Sequence, residues 1–425
     1  MKSVKKYLGA LLAVLLVVSG CASKPKDDGD KSGIVTEVPA GTTINFWHAM
    51  NGGQLEALEK LTKDFETEFP NIKVELQNQS KYSDLQAKIN STMASPKDLP
   101  VITQAYPNWL WNAATQDKVL VDLAPFISNE TIGIKDISDI IPALLDGSKI
   151  EGVQYGMPFN KSTEVLFYNK TLLDEYGLTV PTTLEELAAV SKAVFEKSEG
   201  KVIGAGFDSL NNYYTIGMAS EGITFDKSLD VTGAESLKVA KFYQDGIKEG
   251  YFRIADKGEY LSTPFGAGLL AMNVGSMAGE SHVVKAIDGR FEYGAANRPS
   301  KMNIQQGTDI YMFNNATPEQ QTAAFLYMKY LTSAPAQLHW ATKTGYMPVR
   351  TSVQESAEYK NGQSKIAGIL ADATKSLFAI PVIENSDPAY NLTREMMELI
   401  LSDASQDAQK ILDDYKAKMD QAWNQ

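Results

Sequence analysis

Strand-like and helix-like segments alternate along the chain from residue 42 onward, and this alternation constrains the fold more than any other feature. Residues 43–47, 72–76 and 99–102 are short runs with the composition of β-strands. Between them, apolar residues recur at helical spacing over residues 55–69, ending before a proline, and over residues 85–93. Because strands that alternate with helices build α/β layers, we expect a lobe with a mainly parallel sheet.

The same alternation resumes in the second half of the chain. Residues 165–168 form a candidate buried strand. Thr183 and Glu186, or Thr182 and Glu185, have the spacing of a capping box and predict the start of a helix. Further helices are predicted near residues 236–249, 318–331 and 406–423. About 400 residues remain after a leader is removed, which is too many for one compact core, so we expect two lobes.

The N-terminus has the pattern of a bacterial secretory leader. Three lysines precede an apolar run over residues 7–18, which is shorter than the roughly 20 residues that span a bilayer. The run ends in residues 18–21 (VSGC), which resemble the lipobox of bacterial lipoproteins, and Cys21 is the only cysteine. We therefore expect a signal peptide at residues 1–20 and a lipid on Cys21, which would anchor the protein on the extracytoplasmic face of the cell membrane. The alternative is an ordinary cleaved signal with an incidental cysteine.

The mature chain is acidic and begins with a polar segment. Residues 21–41 are rich in Lys, Asp, Gly, Ser and Pro and predict a flexible tether. The formal charge is −12, and loss of the leader with its three lysines takes it to −15. Because phosphate neutralisation needs clustered Lys and Arg, this charge argues against a nucleic-acid partner. With no second cysteine for a disulfide, the stability of the mature protein must come from an apolar core.

The sequence lacks the motifs of metal, redox and nucleotide chemistry. The three histidines are widely separated, and no HExxH, paired CxxC or Walker A motif occurs. We therefore expect no metal and no cofactor, and any ATP-driven step would need a separate ATPase. Residues 266–271 match GxGxxA, but a tight turn before a strand at residues 270–272 is the simpler interpretation.

Three short motifs together imitate a penicillin-recognising serine hydrolase. They are SxxK at residues 198–201, SxN at residues 209–211 and KTG at residues 343–345. Such an enzyme needs its SxxK at the start of a buried helix, whereas Ser198 follows a helical run in a glycine-containing loop. The short spacing between Ser198 and Ser209 also leaves too little chain for the helical region expected between them. We therefore expect no enzyme activity and keep the hydrolase as a remote alternative.

Several segments, in order along the chain, resemble one family of transport proteins. They are residues 42–52 (TTINFWHAMNG), 157–163 (MPFNKST), 166–170 (LFYNK), 181–187 (PTTLEEL), 265–276 (FGAGLLAMNVGS) and 343–349 (KTGYMPV). These segments are similar to those of family 1 of the extracellular solute-binding proteins of ABC importers, and in particular of its sn-glycerol-3-phosphate-binding lipoproteins. The resemblance implies an α/β periplasmic-binding-protein fold with two lobes, crossing hinge strands and a ligand cleft between the lobes. Lobe one would hold residues 42–165 with 303–340, and lobe two residues 166–302 with 341–425.

The resemblance also implies a set of ligand-binding residues. Tyr82 and Tyr346 align with contacting tyrosines, Ser162 and Ser276 with hydroxyl donors, and Gly307 with a glycine whose backbone approaches the ligand. Hydroxyl and backbone N–H groups can hold phosphate or sugar oxygens without a full counter-charge. The cleft segments contribute further candidates, which are Trp47, Asn108, Trp109 and Arg394.

Two positions depart from the family pattern and leave the ligand open. The family's acidic contact falls at Pro107, which has no side-chain acceptor, although the neighbouring Asn108 could substitute. The family's phosphate-facing arginine aligns with Asn391, with Arg394 one short shift away; only a charged bidentate donor gives strong phosphate anchoring. We therefore expect capture of glycerol 3-phosphate or a glycerophosphodiester, with a mono- or oligosaccharide as the alternative.

The resemblance implies the partners of the protein as well. It predicts a monomer that delivers its solute to ABC permease subunits in the membrane, driven by a separate ATPase. An adhesin or sensor domain that keeps the fold but does not take part in transport is a further alternative.

Overall fold

The computed structural model describes residues 33–255 and 260–424 of the chain. The predicted signal peptide, Cys21 and most of the predicted tether lie outside the described residues. Within the described ranges, no helix combines the length and the apolar character needed to cross a membrane. Ile34–Gln425 forms one compact unit, and the division of that unit into lobes at the predicted boundaries stays a prediction.

The regular elements follow one another in the order expected of an α/β protein. The strands are β1 Thr42–His48, β2 Ile72–Asn78, β3 Ile102–Ala105, β4 Gly156–Ser162, β5 Glu164–Asn169, β6 Ile203–Phe207, β7 Phe252–Ile254, β8 Leu270–Ser276, β9 Tyr293–Asn297, β10 Asn303–Ile304, β11 Gln306–Met312 and β12 Leu377–Phe378. The helices of the N-terminal half are α1 Gly53–Glu68, α2 Tyr82–Thr92, α3 Trp111–Thr115, α4 Ala124–Ser128, α5 Pro142–Asp146, α6 Lys170–Tyr176, α7 Leu184–Lys197 and α8 Leu210–Ser220. Those of the C-terminal half are α9 Ala234–Lys248, α10 Ser262–Gly266, α11 Glu280–Ile287, α12 Pro318–Leu331, α13 Ala334–Thr344, α14 Thr351–Glu355, α15 Ala357–Lys360, α16 Leu370–Ala373, α17 Ser386–Ser402 and α18 Ala408–Trp423. Short 3-10 helices occupy Pro96–Asp98, Pro107–Leu110, Ile137–Asp139 and Met277–Gly279.

Two five-stranded sheets organise these elements. The first sheet has the order β2-β1-β3-β11-β4, and the second has the order β7-β6-β8-β5-β9. In the first sheet β11 is antiparallel to both of its neighbours, and in the second sheet β5 is antiparallel to both. The other strands of each sheet run in one direction, so the α/β prediction is confirmed, but each sheet is mixed, with two parallel and two antiparallel pairings. The local pattern gave no sign of the single reversed strand in each sheet.

Two short connections carry the chain between the sheets. Thr163 alone separates β4 of the first sheet from β5 of the second, and its hydroxyl donates to the carbonyl of Ile304 at 2.8 Å. Returning from the second sheet, the chain passes through β10, which pairs with β12, and Gln305 leads into β11. A 2.7 Å bond from the backbone N–H of Met347 to the carbonyl of Lys161 ties a third passing segment to β4.

Helices cover both sheets through apolar faces. The helix predicted over residues 55–69 is α1, which buries Leu58, Leu61 and Phe65 against the first sheet. On the second sheet, α8, α9, α17 and α18 enclose a core that includes Trp423. Burying one such side chain contributes roughly 1.5–3 kcal/mol, so these faces supply most of the stability.

Local signals fixed some boundaries well and one poorly. Thr183 caps α7, its Oγ1 accepting from the N–H of Glu186, while the Glu186 carboxylate accepts from the N–H and hydroxyl of Thr182. The strand expected at residues 99–102 was placed too early. The N–H of Val101 donates to the side chain of Asn45 at 2.7 Å instead of to a neighbouring strand, and β3 begins at Ile102.

Candidate functional site

A cavity of about 290 Å³ lies at one edge of both sheets. Residues that follow β3 and β6, together with the first residues of β11, form its walls. Further lining comes from α2, from residues 379–382, from α17 and from Gly147, Lys161, Ile304 and Gln305. Ligands of open α/β sheets bind beyond the carboxyl ends of parallel strands, where loops leave a crevice. This cavity has that position.

Five of the nine predicted ligand residues line the cavity. Tyr82 enters from the first turn of α2, Gly307 from β11, Asn108 and Trp109 from the 3-10 helix after β3, and Arg394 from α17. They come from parts of the chain more than 300 residues apart, and the fold places them around one space. No finding tests whether they bind a ligand, so their role stays a prediction.

Tyr346 lies directly behind Tyr82 in a buried polar network. The two hydroxyls are 3.1 Å apart, and the side-chain amide of Asn160 donates to the Tyr82 hydroxyl at 2.9 Å. The Tyr346 ring stacks on Trp340 with a centroid distance of 5.6 Å and an interplanar angle of 7°. Asn160 in turn accepts from Thr308 at 2.7 Å. The network therefore fixes the orientation of Tyr82, and Tyr346 is a packed residue as well as a candidate contact.

Ser162 and Ser276 meet at the junction of the two sheets, outside the cavity lining. Their hydroxyl oxygens are 3.3 Å apart, with Ser276 donating. Ser276 also accepts from the N–H of Ala278 at 3.3 Å and ends β8. Since Lys161, which precedes Ser162, does line the cavity, the two hydroxyls lie next to the space rather than in it.

The predicted tryptophan Trp47 also lies outside the lining. Its side chain is 5% exposed, and its indole N–H donates to Gln77 at 2.7 Å. The ammonium of Lys88 lies 5.3 Å from its ring centroid. The rings that do line the cavity are Tyr82, Tyr106, Trp109 and Tyr390.

Asp387 is a cavity residue that the sequence analysis missed. It lies in the first turn of α17, half-buried, and one carboxylate oxygen accepts from Gln86 Nε2 at 2.7 Å and Asn391 Nδ2 at 3.3 Å. The other oxygen accepts from Asn108 Nδ2 at 3.1 Å. Burial raises the pKa of Asp387 to about 6, and the bonds from Gln86 and Asn391 partly offset that effect. An apolar period over the buried residues of α17 could have revealed this helix, which was not predicted.

Asp387 also joins the two sides of the cavity. Gln86 and Asn108 belong to elements that flank the first sheet, whereas α17 packs on α8 and α9 of the second sheet. The bonds from Gln86 and Asn108 to Asp387 therefore close one wall of the cavity. Asn391, which stands where the family resemblance implies an arginine, also donates to Asp387.

The floor of the cavity is a close contact between β4 and β11. Gly307 has φ +88°, and a Cβ atom there would lie 1.9 Å from the carbonyl oxygen of Asn160. Next to it, Lys161 Nζ donates to the Gly307 carbonyl at 3.2 Å and to Asp309 Oδ1 at 2.8 Å. Burial raises the pKa of Asp309 to about 6, although Lys161 favours its charged form. Position 307 therefore needs glycine for packing, whatever its contact with ligand.

The hydrolase alternative finds no support in the geometry of its motifs. Ser198 caps the C-terminus of α7, and its hydroxyl bonds the backbone of Phe195 and Val202. Lys201 instead pairs with Glu199 at 2.9 Å, with both side chains exposed. The lysine therefore does not activate the serine. Among the described residues, no cluster of His, Cys, Asp or Glu could hold a metal ion.

Comparison with known proteins supplies the wider context. A family model described as a bacterial extracellular solute-binding protein matches residues 60–367. The sn-glycerol-3-phosphate-binding periplasmic protein UgpB of Rhizobium meliloti is 23% identical over 413 residues, which cover 90% of this chain and 94% of that protein.

Solved structures confirm the predicted periplasmic-binding-protein fold. UgpB from Mycobacterium tuberculosis in complex with glycerophosphocholine superposes with a TM-score of 0.80 at 20% identity, covering 91% of this chain and 99% of that chain. The GacH receptor of Streptomyces glaucescens, solved unliganded and with acarbose, gives 0.78 at 21% identity, with 91% and 99% coverage.

Proposed function

The chain belongs to the bacterial extracellular solute-binding proteins, and from that premise we propose that it captures glycerol 3-phosphate or a glycerophosphodiester for uptake by an ABC importer. The observation that carries the proposal is the cavity of about 290 Å³ lined by residues from both sheets. It is closed on one wall by hydrogen bonds to Asp387. A space of this size, at the lower limit for ligand pockets, suits a small polar solute.

The lining supports a phosphate-bearing ligand through Arg394. A guanidinium presents five N–H donors in a fixed fork that suits phosphate oxygens. Tyr82, Asn108 and Gly307 add hydroxyl, amide and backbone groups around the same space. Tyr346 holds Tyr82 in place, and Ser162 and Ser276 lie next to the cavity. We assign all of these residues to ligand binding or its direct support.

A carbohydrate is the second candidate, and one observation favours it. Pro107 and Asn391 both line the cavity, at the positions where the family resemblance implies an acidic residue and an arginine. The cavity therefore lacks the arginine that would bind the phosphate group of a phosphate monoester at position 391. Amide side chains and the flat faces of Tyr106 and Trp109 suit sugar hydroxyls and C–H faces. The acarbose-binding GacH receptor has the same fold.

We also propose the surroundings in which the protein works. A lipid on Cys21 anchors it at the outer face of the cell membrane, residues 21–41 act as a tether, and the folded unit is a monomer that hands solute to ABC permease subunits. A separate ATPase supplies the energy, and this chain makes and breaks no bond. Replacing Cys21 by Ala should release the protein from the membrane fraction. Retention of the variant there would contradict the anchor.

A thermal-shift series tests the ligand. The purified protein is mixed with glycerol 3-phosphate, glycerophosphocholine, glucose, maltose and maltotriose. A ligand at about 100 times its Kd adds roughly 2.7 kcal/mol to the free energy of unfolding, which gives a clear shift. The Arg394→Gln variant should lose the shift with the phosphate compounds, while Lys410→Gln on the exposed side of α18 should keep it. A shift with sugars alone would replace the first candidate by the second.

A further inference from the structure

A buried ion pair lies where the two connections between the sheets meet the second sheet. Glu164 is the first residue of β5, directly after the single residue Thr163 that separates β5 from β4. Its carboxylate oxygen Oε2 accepts from Arg298 Nε at 2.9 Å, and the side chains of Glu164 and Arg298 are 0% and 2% exposed. Arg298 directly follows β9. The pair therefore joins the segment that enters the second sheet to the segment that leaves it.

The same glutamate also holds the returning connection. Its backbone carbonyl accepts from Asn303 Nδ2 at 2.8 Å, and Asn303 begins β10. One residue before Glu164, the hydroxyl of Thr163 donates to the carbonyl of Ile304 at 2.8 Å. All four of these residues are buried. The two connections are therefore tied to each other and to Glu164 in a place that is shielded from water.

The second carboxylate oxygen of Glu164 leads to the wall of the cavity. Oε1 accepts from Asn212 Nδ2 at 2.8 Å, and Asn212 belongs to α8. The amide oxygen of Asn212 in turn accepts from the hydroxyl of Tyr390 on α17. Asn212 and Tyr390 line the cavity, whereas Glu164 lies behind its wall. The side chain of Asn212 therefore bridges the cavity wall and the connections with one acceptor and one donor.

The carboxylate at position 164 meets a requirement that an amide does not. Asn212 Nδ2 and Arg298 Nε both donate to it, so both of its oxygens must accept. A glutamine would offer one acceptor and one donor at these two positions. Burial raises the pKa of Glu164, whereas the charge of Arg298 and the bond from Asn212 lower it.

Asp208 is a second acid close to this network. Its negative charge raises the pKa of Glu164 further, in addition to burial. Burial also raises the pKa of Asp208 itself, while bonds from Ser209 and Tyr213 and the charge of Arg394 lower it. The hydroxyls of Ser209 and Tyr213 donate to the Asp208 carboxylate at 2.9 Å and 3.3 Å. Asp208 thus has its own partners, and Glu164 is the acid that pairs with Arg298.

Stability alone does not account for charged groups at this place. Arg298 Nη2 donates to the Tyr243 hydroxyl at 3.4 Å, and the guanidinium carbon lies 5.4 Å from the ring centroid of Tyr213. Because desolvation of both charges offsets their attraction, a buried ion pair is weak evidence for stabilisation. Its directed, charge-assisted hydrogen bonds instead fix one arrangement of the groups that they join. Here these groups are the two connections and the cavity wall.

We propose that Asn212 is a positioning residue that couples the cavity wall to both connections between the sheets through Glu164 and Arg298. Tyr390 holds the amide from the side of the cavity, and Glu164 holds it from the side of the connections. A ligand that displaces Tyr390 therefore acts on the bond that fixes the connections. The inference rests on the proposed function, because it uses the connections as the hinge for solute capture.

Distances between two spin labels test the coupling without any ligand. The Cys21→Ala protein carries the labels at Lys63→Cys on α1 and Lys241→Cys on α9, two exposed positions. Helix α1 packs on the first sheet and α9 on the core of the second. Asn212→Leu removes both bonds of the amide and should about double the width of the distance distribution, because the connections lose their fixed arrangement. An unchanged distribution would overturn the inference.

Tyr214→Phe is the matched control on the same helix. It removes a buried hydrogen bond of 2.8 Å to Ser236, which lies on α9 rather than on a connection. Its distance distribution should equal that of the parent protein. Equal broadening in Tyr214→Phe and Asn212→Leu would show a general loosening of α8 and would also overturn the inference.

Calorimetric titration with glycerophosphocholine adds a second readout. Tyr390→Phe should weaken binding about threefold and Asn212→Leu about tenfold, and the double variant should be no weaker than Asn212→Leu, because both changes break one chain of bonds. A loss of about thirtyfold in the double variant, the product of the two, would show two independent contacts and contradict the coupling.

The possible outcomes separate the inference from the proposed function. If the protein binds the phosphate compounds but Asn212→Leu leaves the label distances unchanged, the inference is wrong and the proposed function stands. If it binds none of them, the proposed function is wrong, and the label distances still decide the coupling. If Asn212→Leu does not fold, Tyr390→Phe, which removes only a hydroxyl, takes its place in the distance measurement. An unchanged distribution in that variant would then overturn the inference.

Discussion

Replacement of Gly307 by Ala tests the close contact on which the cavity floor depends. Gly307 has φ +88°, and the added Cβ would lie 1.9 Å from the carbonyl oxygen of Asn160 and 2.8 Å from the Cα of Lys161. Both atoms are backbone of β4, which pairs with β11, so neither can move without disturbing the ladder. The left-handed backbone costs an L-residue about 1–2 kcal/mol. Overpacking adds about 1–3 kcal/mol, which gives a total loss of about 2–5 kcal/mol.

A matched glycine separates the two contributions. Gly152 has φ +79°, and a Cβ there would meet nothing within 4 Å. Gly152→Ala should therefore lose only the backbone share of about 1–2 kcal/mol. Urea unfolding of both variants, followed by tryptophan fluorescence, gives the difference in the free energy of unfolding. Equal losses in the two variants would refute the argument that β4 excludes a side chain at position 307.

Three further predictions concern buried polar groups. Burial lowers the pKa of His48 to about 4, so the imidazole of the unfolded chain binds a proton as the pH falls below about 6.5 while that of the folded chain does not. The free energy of unfolding should therefore fall by about 2 kcal/mol between pH 7.5 and pH 5. In His48→Asn this part of the pH dependence should disappear, and an unchanged pH dependence would contradict the assignment to His48. Tyr346→Phe removes the 3.1 Å contact with the Tyr82 hydroxyl and should cost about 1 kcal/mol in urea unfolding; a variant as stable as wild type would show that this contact adds nothing. Lys161→Met leaves Asp309 buried without its partner and should cost about 3–5 kcal/mol, whereas the double change with Asp309→Asn should recover part of the loss; additive losses would show that the pair is not coupled.

The sequence predicts elements well where the signal is local. The helix that opens at Thr183 depends on bonds within four residues, and the structure shows both the cap and the reciprocal carboxylate. The apolar spacing of α1, α9 and α18 likewise reflects one buried face for each helix. Such features need no knowledge of the rest of the chain.

The parts that were missed depend on distant segments. Asp387 becomes a cavity residue because Asn108, 279 positions earlier in the chain, donates to it, and neither residue alone carries that information. The reversed strand β11 pairs with β3 and β4, and no local pattern states which strands it will join. The resemblance named Tyr82 and Gly307, which line the cavity, because a family pattern reflects contacts between distant segments. Of the other matches it supplied, Ser162, Ser276 and Tyr346 lie outside the lining.

The position of β11 inside the first sheet has a consequence during synthesis. A nascent chain that ends before Gln306 contains β1 to β4 but lacks the strand that lies between β3 and β4. Until that strand emerges, β3 has an unpaired edge and β4 has no neighbour, which are the exposed groups that favour pairing with other chains. Because β11 belongs to the last third of the polypeptide, most of the chain must have emerged, from the ribosome or from the export channel, before this sheet can close.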